Sequence, residues 1–196
     1  MDQVLQVLQV LRIKGRATPD TLATAVGVEV TDVIEQCEWA DLVQNTKIGY
    51  RITDLGWERV DELYVSERAR AEAVILDTYE TFLPINDEVK QVVTDWQMRV
   101  VDGQMVLNDH ADPGHDDSVI ARLHDVDAKA APALESLTSA LPRFDLYSRR
   151  LQRALAEIRD GDHTMVAAPI KDSYHTVWFE LHEDLILLSG RERTED

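Results

Sequence analysis

Apolar residues in the first seventy positions fall into short groups whose spacing alternates between helical and extended. Leu5, Leu8, Val10 and Leu11 mark one face of a first helix. Thr18-Pro19-Asp20 supplies the N-cap, N1 and N2 of a second. Gly27 ends that helix, and a third spans about Glu29 to Ala40, with Val30, Val33, Ile34 and Cys37 inward. Asp41-Leu42-Val43 exits into a strand, Asn45 to Gly49 turns, and Tyr50 to Thr53 returns before Asp54-Leu55-Gly56 opens another helix.

Beyond Gly56 the period stays helical. Leu55, Val60, Leu63, Ala69, Ala73, Val74 and Phe82 predict one long helix, or two nearly collinear ones broken near Ser66. Pro84 and Asn86 read as the start of a further helix through Val89, Val92, Val93 and Trp96. Met98–Val101 and Gln104–Leu107 flank Asp102-Gly103, a type I′ hairpin signal. A polar loop, Asn108 to Asp117, leads to three more helices at about 117–141, 143–159 and 172–189. Pro132 is expected to kink or split the first, and Gly190 to cap the last. The charged tail from Arg191 to Asp196 is expected to fray.

The phrase Tyr50-Arg51-Ile52-Thr53-Asp54-Leu55-Gly56, closing a helix–helix–turn–helix–strand order, resembles the winged helix-turn-helix of bacterial regulators of the MarR, PadR and GntR kind. The resemblance implies a mainly α fold: an N-terminal winged helix-turn-helix over 1–66, with three helices and a small β-wing. A helical effector or dimerisation domain with a short hairpin would follow over 67–196. It also implies double-stranded DNA as partner, a homodimer, and control by a small-molecule effector. The segment 172–185 is similar to that of actinobacterial winged-helix proteins with a helical C-terminal half, a likeness that assigns no chemistry.

Charge complicates that reading. The 196 residues carry a formal net charge of −17. Residues 1–70 hold 8 Lys/Arg against 12 Asp/Glu, a balance of −4, leaving −13 for the remainder. Acidity discourages non-specific nucleic-acid binding, which depends on phosphate neutralisation. The third helix turns Glu29, Asp32, Glu35, Gln36 and Trp39 outward, where a groove-reading helix usually presents cations and amides. DNA contact would therefore fall to Arg12, Lys14 and Arg16 before the second helix and Lys47 and Arg51 on the wing, with Thr31 and Gln36 touching bases. The competing reading is a winged-helix adaptor that no longer binds DNA. An outward Trp39 would suit that role, although packing against the wing is the simpler expectation for its ring.

In the C-terminal half, Tyr174 to Leu185 crowds aromatic, histidine and carboxylate groups onto one helix. His175, Trp178, Phe179 and His182, with Trp96 and Tyr147, are candidates to line an effector pocket between helices, and Arg149 to pair with an anionic effector. GntR-type regulators often hold a metal in their helical domain. The segment Ala154 to Asp162 looks like a helix end of that domain, but ligand-histidine spacing is not evident, and no residue is assigned to a metal or cofactor. Asn108-Asp109-His110 with His115-Asp116-Asp117 matches no catalytic spacing and reads as a helix-capping loop. Without a Gly-rich phosphate loop, nucleophile elbow or zinc signature, no enzyme is expected. A single cysteine, no apolar run of membrane-spanning length and no basic segment before an apolar stretch at Met1-Asp2-Gln3 predict a cytoplasmic protein.

Overall fold

The computed structural model describes residues 2–191, so the expected fraying of residues 192–196 lies outside the described residues. The chain is mainly helical, with two small antiparallel sheets. Its first three helices are α1 (Gln3–Lys14), α2 (Pro19–Val26) and α3 (Thr31–Trp39). Thr18 caps α2, its side chain accepting from the Thr21 amide, and Gly27 closes α2 in the left-handed conformation. Helix α3 starts two residues later than its apolar pattern suggests. The Glu29 carboxylate accepts from the Val30 and Thr31 amides and from the Thr31 hydroxyl, and so ends the loop.

Strands β1 (Val43–Thr46) and β2 (Gly49–Ile52) pair antiparallel, Val43 opposite Ile52. Ala17 bridges Tyr50 through both backbone bonds, which ties the segment before α2 to this sheet. Helix α1 is buried on most of its circumference, including Val7, Leu8, Leu11 and the amide of Gln9. One side packs on α2 and α3, the other on later helices.

Helix α4 (Asp54–Gln97) is the spine. It passes through 66/67, the expected domain boundary, and through Pro84, the expected start of a new helix. Glu80, whose carbonyl loses its usual partner to the proline, sits with Leu83 and Pro84 on an exposed turn that water reaches, while Phe82, Ile85 and Asn86 hold the helix from the buried side. The one non-helical residue inside α4 is Ala71 (φ −137, ψ 24). Of the apolar positions that marked this helix in the sequence, Val60 and Phe82 are buried in the chain's own core, Leu63 and Val74 are half-buried, and Leu55, Ala69 and Ala73 are exposed.

A ribbon of β3 (Met98–Val101) and β4 (Gln104–Leu107) follows. Asp102 (φ 51) and Gly103 (φ 78) are both left-handed, as a type I′ turn demands. Met98 lies opposite Leu107 and Val100 opposite Met105, so one ribbon face is wholly apolar. Helix α5 (Pro113–Ala140) runs through Pro132 without splitting, and a 3-10 turn (Pro142–Phe144) leads to α6 (Asp145–Arg159). A second 3-10 turn (His163–Val166) precedes α7 (Tyr174–Ser189), capped by Ser173 and closed by Gly190. Helices α5 and α7 flank α4, and α6 packs on α7. Buried side chains of all seven helices form one continuous core.

Among the described residues, no helix is long and apolar enough to cross a membrane. Cys37 is buried and free, its thiol pushed up to about 11 by burial and by Asp2, which fits a small hydrophobe rather than a reactive thiol.

Candidate functional site

The residues expected to contact DNA split into two groups. Arg12 is turned inward: its guanidinium stacks over Trp57 (4.6 Å) and Tyr64 (5.2 Å) and pairs with Asp61. Lys14 pairs with the buried Glu180 of α7. Both cations are paired within the molecule. Thr31 donates its hydroxyl to Glu29. Arg16, Gln36, Lys47 and Arg51 remain exposed, Arg51 donating to Gln44 across the sheet. The exposed side of α3 carries Asp32, Glu35 and Glu38, with Glu29 at its entrance and no Lys or Arg. Trp39, at the end of α3, is 91% exposed; it does not pack against the β1–β2 sheet.

The expected effector residues do not share one cavity. Trp178 is core: it stacks on Phe82 (4.6 Å) and Tyr174 (6.0 Å) and donates to Asn86 (3.1 Å). His182 lies against Phe82 (ring centroids 5.3 Å). His175 is half-buried, which pushes its imidazole down. Phe179 borders a cleft with Ile13, Arg16 and Ile170 between the α1–α2 end and the loop before α7. Arg149 is exposed and pairs with Asp145 one turn back. Tyr147 points elsewhere, into the densest polar cluster of the molecule.

That cluster centres on Asp184 and Arg143, both buried. Asp184 accepts from Gln9 of α1 (2.5 Å), Tyr64 of α4 (3.0 Å), Tyr147 of α6 (2.9 Å) and both terminal nitrogens of Arg143 (2.5 and 3.1 Å). Arg143 Nε lies 2.9 Å from each Glu67 oxygen. Burial raises Glu67, and Arg143 only partly opposes it. Burial together with Asp184 raises both tyrosine hydroxyls, which therefore stay protonated donors. Next to it, Arg150 joins Asp172 and Glu180, and Arg153 also reaches Asp172. Each buried carboxylate and guanidinium here is paired within the chain, so the cluster clamps α1, α4, α6 and α7 together.

Trp96, alone of the expected effector set, borders an open groove of about 600 Å³. Gln97 and the ribbon base, Met98 and Leu107, form one wall, and His163, Thr164, Ala167 and Ala168 the other. Asn108, His110 and Asp116 close the end. Asp112 caps α5, as a capping loop predicts, accepting from the Gly114 and His115 amides. The neighbouring Asn108, His110 and Asp116 do something else. His110 Nδ1 lies 2.9 Å from Asp116 Oδ2, and the Asn108 amide donates to Asp116 Oδ1 (2.8 Å) and to the Trp96 carbonyl (3.0 Å). Burial alone would raise Asp116; the bonds from Asn108 and His110 hold it below the ordinary carboxylate range. The sequence signal was there: Asn and His two apart, facing an Asp in the first turn of the next helix.

No protein family, curated protein or solved structure matches this chain.

Proposed function

We propose that the chain is a winged-helix adaptor, with α1–α3 and the β1–β2 wing forming a protein-interaction module rather than a DNA reader. The observation that carries this is the exposed side of α3: carboxylates at 29, 32, 35 and 38, no cation, and Trp39 presented at 91% exposure. In a major groove those carboxylates would face phosphate. Against a basic protein surface they are complementary, with Trp39 as the aromatic anchor such interfaces favour.

The test has two arms. Selection of purified chain against random duplexes at low and physiological salt is expected to yield no enriched sequence. A photo-crosslinker placed at position 36, exposed one turn before Trp39, is expected to capture a partner in cells, whose purified binding weakens at least about tenfold with Trp39→Ala. A selected duplex motif, or a crosslinked partner indifferent to Trp39→Ala, overturns the reading.

One observation favours the second reading, a DNA-binding regulator. Arg16, Lys47 and Arg51 are exposed near one another, because the Ala17–Tyr50 bridge brings the α2 approach beside the wing. In that case Lys47→Ala with Arg51→Ala lowers the salt slope of duplex binding by about 1 for each phosphate no longer neutralised.

A further inference from the structure

The groove beside Trp96 has the size, lining and fixed polar group of a small-molecule site, whichever macromolecule α3 meets. Its volume, about 600 Å³, lies within the usual range of ligand pockets. Met98, Leu107, Ala167 and Ala168 make most of its walls apolar.

The polar element is His110, and its orientation is imposed. Its backbone is left-handed (φ 57), held there by its own amide donating to Asn108 Oδ1 (3.1 Å). Its ring lies against Trp96, centroids 4.5 Å apart. The two hydrogens of the Asn108 amide go to its two closest acceptors, Asp116 Oδ1 and the Trp96 carbonyl. A carboxylate only accepts, so the 2.9 Å contact between His110 Nδ1 and Asp116 Oδ2 places a proton on Nδ1. In its neutral form the ring then carries its lone pair at Nε2. With its side chain 45% exposed at the groove, His110 offers a fixed acceptor. Such an acceptor suits a hydroxyl or an amine and repels a carboxylate, and the net charge of −17 disfavours anions further.

We propose that this groove binds a neutral or cationic small molecule, with an apolar body against Met98, Leu107 and Ala167 and an O–H or N–H group donated to His110 Nε2. The probes are p-cresol and tyramine, with toluene lacking the donor and 4-methylbenzoate carrying an anion in its place. They are titrated into the full chain while the imidazole ¹⁵N signals are followed by NMR. p-Cresol and tyramine are expected to move the His110 signals and to bind at least tenfold more tightly than toluene or 4-methylbenzoate. His110→Phe, which keeps a ring beside Trp96, should lose that tenfold preference. Leu107→Trp, at an exposed position on the groove wall, should block the probes with the melting temperature unchanged. Equal or tighter binding of 4-methylbenzoate, a preference that survives His110→Phe, or no binding of either donor probe below about 1 mM would overturn the proposal.

Discussion

Replacing Asp184 by Asn changes one buried group by a single atom type and tests the clamp at its centre. Asp184 Oδ2 receives Gln9, Tyr147 and one Arg143 nitrogen, and Oδ1 receives Tyr64 and the other Arg143 nitrogen. Whichever way an Asn amide is turned, its NH₂ faces at least two of these donors. Each buried donor left without an acceptor costs about 1–3 kcal/mol. Arg143 also keeps only Glu67 to balance a fully buried charge, and breaking a buried pair from one side costs about 3–5 kcal/mol in comparable cases. These penalties overlap, so the expected loss is about 4 kcal/mol, or roughly 8–16 °C in melting temperature for a chain of this length. Urea unfolding followed by far-UV circular dichroism, with a thermal scan beside it, reads both quantities. The double variant Asp184→Leu with Arg143→Met removes both charges but should not restore full stability, because Gln9, Tyr64 and Tyr147 stay stranded and the buried Glu67 loses its cation. A loss below about 1 kcal/mol for Asp184→Asn would refute the claim that this network is closed and dry.

Gly56→Ala should destabilise the chain by about 1–3 kcal/mol in urea unfolding, although Ala normally favours a helix, because the added methyl would strike the Leu42 carbonyl and the Ile52 side chain. Unchanged stability there would mean the β1–β2 sheet and α4 are looser than described. Asp172 is pushed up by burial but held below the ordinary aspartate range by Arg150 and Arg153. Its contribution is therefore present above its unfolded value and lost as pH falls through its folded one; Asp172→Asn should lower stability at pH 7 and flatten the acid limb of a stability–pH profile. Glu67, raised by burial, has the opposite sign, its contribution declining as pH climbs from the ordinary glutamate value through the folded one. Val100→Lys with Met105→Lys, on the exposed apolar ribbon face, should raise the concentration at which light scattering detects aggregation while leaving the melting temperature within about 2 °C.

Local chemistry was readable and long-range chemistry was not. Thr18-Pro19 and Gly27 bound α2, and Asp102-Gly103 makes the turn its dipeptide predicts, because caps and tight turns are decided by a few neighbouring dihedrals. Pro84 misled, since its missing hydrogen bond falls on an exposed turn while Phe82 and Ile85 are held by tertiary packing. Ala71, where α4 does depart from helical geometry, has no Gly or Pro beside it to announce it. The Asp184–Arg143 cluster joins residues from positions 9 to 184, and a lone charge in an apolar stripe is normally assigned to the surface. Of the effector set, only Trp96 borders the groove. His175, Trp178, Phe179 and His182 share one helix, α7, whereas a concave site is assembled from the ends of several.

Helix α4 makes the two ends of the molecule a single mechanical body. Its 44 residues trace about 66 Å of contour, from Thr53 beneath the β1–β2 sheet to Trp96 at the groove. If an occupant of the groove were to change the geometry at Ala71, the far end would feel it, and thermodynamic reciprocity would fix the return: whatever factor it imposed on binding at α3, an occupant of α3 would impose in turn on the groove.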